Sequence, residues 1–184
     1  MKNNNTFSEM VKPALVLVCI CLAATLALAA THMVCQPLIE ENAVKAANEA
    51  RALVLPEGDS YTEYDGTLVE GVIDCYVADN GAGMTVTSAF KGFGGPVKVM
   101  TGIDANGAVT GVTVTEHAET PGLGTKDMTP EYLSQYNGIT EASASHINGD
   151  AAIDAVTGAT ISANAIYLSV GEALAQFNEC GGVK

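Results

Sequence analysis

From Pro13 to Ala30 the chain carries no charged side chain, and the uncharged stretch continues past Val34 with only His32 interrupting it. A helix needs about 20 apolar residues to cross a hydrocarbon core of roughly 30 Å, so the pattern predicts a transmembrane helix over residues 13–34. The texture then turns polar but stays helical. Between Pro37 and Leu55, alanines mix with Glu, Lys and Arg in i, i+4 relations such as Glu41–Lys45, and Pro56-Glu57-Gly58 stops the run. A polar stalk helix over 35–58 is expected.

Beyond this point the period shortens to two. Val72 to Val77 and Met84 to Thr87 flank Asp79-Asn80-Gly81-Ala82-Gly83, a hairpin signal. Val97, Val99 and Ile103 share one face of the next run, Asn106-Gly107 makes a tight turn, and Val109 to Thr115 carries Val112 and Val114 on one face. Glu119-Thr120-Pro121-Gly122-Leu123-Gly124 cannot continue a strand. Thr129 is placed to cap a short helix that opens with Pro130 and runs to Tyr136. Asn148-Gly149-Asp150 turns the chain, Ile153 to Val156 reads as a short strand, and Ser162 to Phe177 as a final helix. Antiparallel strands followed by helices predict an α+β domain with a twisted antiparallel sheet over residues 59–184.

Charge places these parts. Lys2 and Lys12 precede the apolar run and Glu40 and Glu41 follow it, so the positive-inside bias predicts a cytoplasmic segment over 1–12 and a main domain outside the membrane. Ala27-Leu28-Ala29 is a pattern that a signal peptidase could cut, but the run exceeds a signal core in length and favours a retained anchor. On either reading the domain is exported. Thr31-His32-Met33-Val34 lacks the small residues that lipid attachment at Cys35 would require. Beyond Val34 there are 6 Lys/Arg and 20 Asp/Glu, a net of −14. Such a surface repels nucleic acid and anionic headgroups. It reads first as a solvated surface, and second as a docking face for a basic partner. Cys19 and Cys21 lie in the apolar run, whereas Cys35, Cys75 and Cys180 lie outside it, an odd number without zinc-site spacing that leaves pairing open.

Three stretches carry candidate chemistry. In Thr157-Gly158-Ala159-Thr160, two nearly bare residues let a bulky phosphate-bearing ligand approach the backbone. The helix that follows offers unpaired N–H groups to an anion, and Thr160 holds a hydroxyl at the mouth of that site. The competing reading is a small-residue turn that caps a helix. In the Glu119–Gly124 loop, the glycines bring backbone close to a ligand, Leu123 offers an apolar surface to a flat ring, and Glu119 and Thr120 could bond its polar edge. Lys91-Gly92-Phe93-Gly94-Gly95-Pro96 is either a bulge or a clearing for a cofactor. It has neither a Walker nor a dinucleotide spacing. His117 and His146 read as ordinary loop residues, and no elbow motif marks a hydrolytic nucleophile.

Gly94-Gly95-Pro96-Val97, Glu119-Thr120-Pro121-Gly122-Leu123-Gly124 and Asp154-Ala155-Val156-Thr157-Gly158-Ala159-Thr160 follow an N-terminal membrane helix in that order. Together they resemble the G subunit of the Rnf ion-translocating electron-transport complex, whose FMN-binding domain is shared with the C subunit of the sodium-pumping NADH:quinone reductase. The resemblance covers about Lys2 to Phe177 and breaks no motif. It implies FMN joined through its phosphate to the Thr160 hydroxyl by a separate flavin transferase. It implies an attachment loop of Asp154, Val156, Thr157, Gly158 and Ala159, with Glu119, Thr120, Leu123 and Gly124 against the isoalloxazine and Gly95 nearby. The implied role is an electron relay among other subunits, in a complex that couples ferredoxin-to-NAD electron flow to Na⁺ or H⁺ movement, with no substrate turnover of its own. Two other classes remain at this point: a tethered FMN-domain carrier of another electron chain, and a tethered structural domain without cofactor.

Overall fold

The computed structural model describes residues 4–142 and 144–182. Helix α1 spans Asn4–Val54 and passes through Pro13 and Pro37. The chain divides into two compact units, Met1–Ala46 and Ala47–Lys184. In the first, α1 stands alone, and its apolar side chains, such as Leu17, Leu26 and Leu28, are exposed. From Val11 onward α1 is long and apolar enough to cross a membrane.

The second unit is built on a five-stranded antiparallel meander, β1 (Tyr61–Glu63), β2 (Val72–Ala78), β3 (Gly83–Lys91), β4 (Pro96–Asp104) and β5 (Val109–Glu116), in sequence order. Register gives each face its residues. Met84 lies opposite Ile103, Val86 opposite Thr101, and Ser88 opposite Val99. This face is covered by α3 (Thr160–Glu179), which buries Ala163, Ile166, Tyr167, Val170 and Ala173. The Ser88 hydroxyl donates to the Ser169 carbonyl at 2.9 Å, so a polar residue in the middle of the sheet is satisfied by the helix above it.

The other face receives the last turn of α1. Val54 and Leu55 are buried, and the Arg51 guanidinium sits 3.7 Å from the centroid of the Tyr76 ring. The approach is close because Gly102 and Gly111 lie beneath Val54. A Cβ on Gly102 would collide with the Val54 carbonyl. This explains why β3 and β4 are buried on both faces, where alternation alone predicted one.

Two local expectations differ from the structure, and one strand was not expected. Strand β1 pairs with β2 at the sheet edge, although its three residues carry no alternating signal of their own. Ile153 to Val156 forms no strand and joins no ladder of the sheet. Helix α3 begins at Thr160, with Ala159 as a cap that makes no side-chain hydrogen bond. Thr160 is therefore the first helical residue and not the cap. The short helix α2 (Pro130–Leu133) follows its signals closely: the Thr129 hydroxyl accepts from the Tyr132 N–H, and Pro130 opens the helix.

Candidate functional site

The segment between β5 and α3 has little regular structure, and it converges with the β3–β4 turn on one cavity of about 280 Å³. Phe93 comes from the β3–β4 turn. Glu119, Thr120, Leu123 and Gly124 come from the loop after β5, and Gly158 to Ser162 from the entry to α3. The volume lies just below the range of roughly 300–1,000 Å³ for small-molecule sites.

Two turns shape the walls. The N–H groups of Leu123 and Gly124 both donate to the Thr120 carbonyl at 3.1 Å, and the Gly122 N–H donates to the Thr125 hydroxyl at 2.9 Å. Opposite them, the Ala159 N–H donates to the Val156 carbonyl at 3.0 Å, closing a turn in which Gly158 has φ +88°. A left-handed residue here costs little for glycine and more for any other residue. The first main-chain bond of α3 runs from the Ala163 N–H to the Ala159 carbonyl. The N–H groups of Thr160, Ile161 and Ser162 are those that a helix start leaves without acceptors, and no acidic side chain lies in that first turn.

Glu119 lies in the floor. The residue is 5 % exposed, and its carboxylate accepts the Gly94 N–H at 3.0 Å. Three glycines make room for it: a Cβ on Gly92 or Gly124 would strike the carboxylate, and one on Gly94 would strike the Ala118 carbonyl. The rim is the reverse, with Phe93 72 %, Leu123 48 % and Ile161 54 % exposed. A monomeric surface does not usually gather three large apolar side chains around one opening.

The cavity thus joins a flat apolar rim to a helix start with free N–H groups. These two features suit the ring and the phosphate of a flavin mononucleotide, and Thr160 is the first residue of that helix. Of the residues the sequence singles out, Glu119, Thr120, Leu123, Gly124, Gly158, Ala159 and Thr160 line one cavity. Gly95, Asp154, Val156 and Thr157 lie outside the lining. Gly95 accepts the Gly92 N–H and shapes the β3–β4 turn. Asp154 is held from behind: its carbonyl accepts the Tyr132 hydroxyl at 2.8 Å and its N–H donates to Gln135 Oε1 at 2.8 Å. Phe93, Ile161 and Ser162 line the cavity although the sequence did not single them out as ligand contacts. Phe93 stands inside a marked glycine stretch, whereas Ile161 and Ser162 look like the start of an ordinary helix.

Residues 92–175 match the family described as FMN-binding domain. The G subunit of the Na⁺-translocating ferredoxin:NAD⁺ oxidoreductase complex of Acetobacterium woodii is 32 % identical, over 86 % of this chain and 87 % of that protein. The G subunit of the proton-translocating ferredoxin:NAD⁺ oxidoreductase complex of Clostridium ljungdahlii is 26 % identical, over 89 % of each. The crystal structure of Shewanella oneidensis NqrC shares 22 % identity over 70 % of this chain and 66 % of that one, at a TM-score of 0.40. On this sequence similarity, carried along nearly its whole length, the chain belongs to the G-subunit family of ion-translocating oxidoreductase complexes and contains that family's FMN-binding domain.

Proposed function

We propose that this chain is the flavin-carrying electron-transfer subunit of a membrane complex that couples electron flow from ferredoxin to NAD⁺ to the movement of Na⁺ or H⁺. The observation that carries the reading is the meeting of the Glu119–Gly124 loop and the Gly158–Ser162 helix start in one cavity. FMN held there supplies one- and two-electron transfer, which no side chain of the protein offers.

The residues divide the work. Phe93, Leu123 and Ile161 cover the ring and keep water from it. The start of α3 holds the phosphate through its free N–H groups, and Gly158 and Ala159 leave the space beside it. The Thr160 hydroxyl is the point of attachment, joined to the phosphate as an ester by a separate flavin transferase. Thr157, Val156 and Asp154 form the outer strap of that attachment loop, and Gly95 keeps the β3–β4 turn narrow. Thr120 and Glu119 face the polar edge of the ring. A tether suits an electron carrier, since the cofactor then stays bound in either redox state.

Residues 13–34 form a single membrane span, with 1–12 on the cytoplasmic side. The stalk over 35–58 and the domain over 59–184 lie outside, where lipid touches only the span. The partners are the other subunits of the complex, which deliver and remove the electrons, so the chain turns over no substrate alone. The test is a denaturing gel of the full chain made together with a flavin transferase. A fluorescent band is expected for the wild type and a dark one for Thr160→Ala. A dark wild-type band overturns the attachment, and purification of the chain without any other redox subunit speaks against the complex.

A further inference from the structure

The loop that forms the cavity wall ends in a buried acid without a role in holding the cofactor. Asp127 lies in a single 3-10 turn, Lys126–Met128, three residues past Gly124. It is 0 % exposed, and neither of its carboxylate oxygens has a hydrogen-bond partner. Buried polar atoms in folded proteins are nearly always partnered, so two bare oxygens on one carboxylate require an explanation. The charged groups around it make ionisation harder. Glu119, the carboxylate in the cavity floor, acts on Asp127 as a like charge, and Lys126 beside it faces solvent. Tyr132 of α2 and Tyr136 of the turn that follows also lie near it, with the Tyr136 hydroxyl itself buried and unpartnered. No cation among these groups neutralises Asp127.

We propose that Asp127 acts as a proton-holding group behind the cofactor cavity, taking up one proton when negative charge enters the cavity and releasing it when the charge leaves. The proposal rests on the flavin reading for the source of that charge. The balance is simple: one electron arrives from a neighbouring one-electron carrier, one O–H bond forms at an Asp127 oxygen, and one O–H bond breaks in hydronium. No other bond changes. A fully enclosed carboxyl without a partner ionises only at a cost, and a like charge nearby raises that cost. Burial first, and then Glu119, push the Asp127 carboxyl up to about 6, within reach of a small change in cavity charge. Glu119 transmits that change because one of its oxygens already binds the Gly94 N–H in the cavity floor. Asp127 is accordingly a positioning residue for charge, not one that touches the cofactor.

Infrared spectroscopy of the full chain in detergent tests this directly. In the cofactor-free protein, a protonated carboxyl band is expected to disappear as pH rises through about 6. It should be lost in Asp127→Asn and kept in Glu131→Gln, whose side chain is exposed on α2. Glu119→Gln, which removes the repelling charge, should move the transition to lower pH and serves if the Asp127 variant fails to fold. In the flavin-loaded chain, reduction by dithionite at pH 7 should gain the same band in the wild type and not in Asp127→Asn. Wild-type spectra unchanged by either substitution, or no gain on reduction, overturn the proposal. A chain that never acquires flavin overturns the proposed function instead, and the cofactor-free titration still decides whether Asp127 holds a proton.

Discussion

The Tyr132 hydroxyl donates to the Asp154 carbonyl at 2.8 Å, which ties helix α2 to the loop that enters α3. Gln135 holds the Asp154 N–H from the same side, so both main-chain groups of one residue are fixed by a segment 19 to 22 positions earlier. The turn that presents Gly158, Ala159 and Thr160 is therefore positioned from outside the cavity. Tyr132→Phe keeps the ring and removes the bond, so a loss of about 1 kcal/mol is expected in urea unfolding. It should also slow flavin attachment relative to wild type, read as fluorescence gained per unit time with the transferase. An unchanged attachment rate alongside the stability loss would show that the loop needs no clamp.

Two glycines of the cavity are required for different reasons, and alanine separates them. At Gly124 a Cβ meets the Glu119 carboxylate, whereas at Gly158 nothing lies within 4 Å and the constraint is φ +88°. Gly158→Ala should cost about 1 kcal/mol of stability from backbone strain alone. Gly124→Ala should displace Glu119 and change the absorption of bound flavin, with Gly158→Ala leaving the spectrum closer to wild type. Thermal melts and visible spectra of the two variants check this.

The raised Asp127 carboxyl makes a signed prediction for stability. Its folded value of about 6 exceeds the unfolded value of 3.8, so between these two pH values the folded state binds more protons than the unfolded one. Stability therefore falls as pH rises through this window, by at most about 1.4 kcal/mol per pH unit, and levels off above it. Asp127→Asn should remove that slope, and its stability relative to wild type should rise from pH 4 to pH 7. Urea titrations at pH 4, 5, 6 and 7 measure the difference between the two proteins directly.

Cys75 and Cys180 differ in their exposure to reagents. The Cys75 thiol is buried beside the Met84 sulfur at 3.9 Å, and burial first, then Cys180 and Asp74, push it up to about 12. The thiolate is the reactive form, so Cys75 should resist iodoacetamide at pH 8 in the folded chain and react once urea is added. Cys180, half-buried after the end of α3, should react sooner. Peptide mass spectrometry of alkylated samples distinguishes the two sites.

Much of this molecule is legible in the sequence because its signals are local. The hairpins around Asn80-Gly81 and Asn106-Gly107 follow from turn residues set between alternating strands, and the apolar run of α1 from its lack of charge. Thr129 and Pro130 announce α2 for the same reason: a cap and a first-turn proline act on their own neighbours. The stretch Thr157 to Thr160 is visible as a ligand-approach turn because its small residues are adjacent in the chain.

What stays hidden depends on contacts between distant segments. Tyr61-Thr62-Glu63 becomes a strand only because β2 presents an open edge to it. Ile153 to Val156 looks like a strand but finds no ladder, and pairing, not residue type, decides strand formation. The composition of the strands could not say that β3 and β4 are covered on both faces, since the second cover is the last turn of α1 resting on Gly102 and Gly111. Asp127 reads as one more acid on an acidic surface, although the fold encloses it completely. The sequence by itself determined the long apolar helix, the hairpins and the candidate attachment turn, because each arises from interactions a few residues long. Tertiary structure alone decided which loops meet around the cavity and which charges lose their water, because burial is set by all the segments that pack at one place.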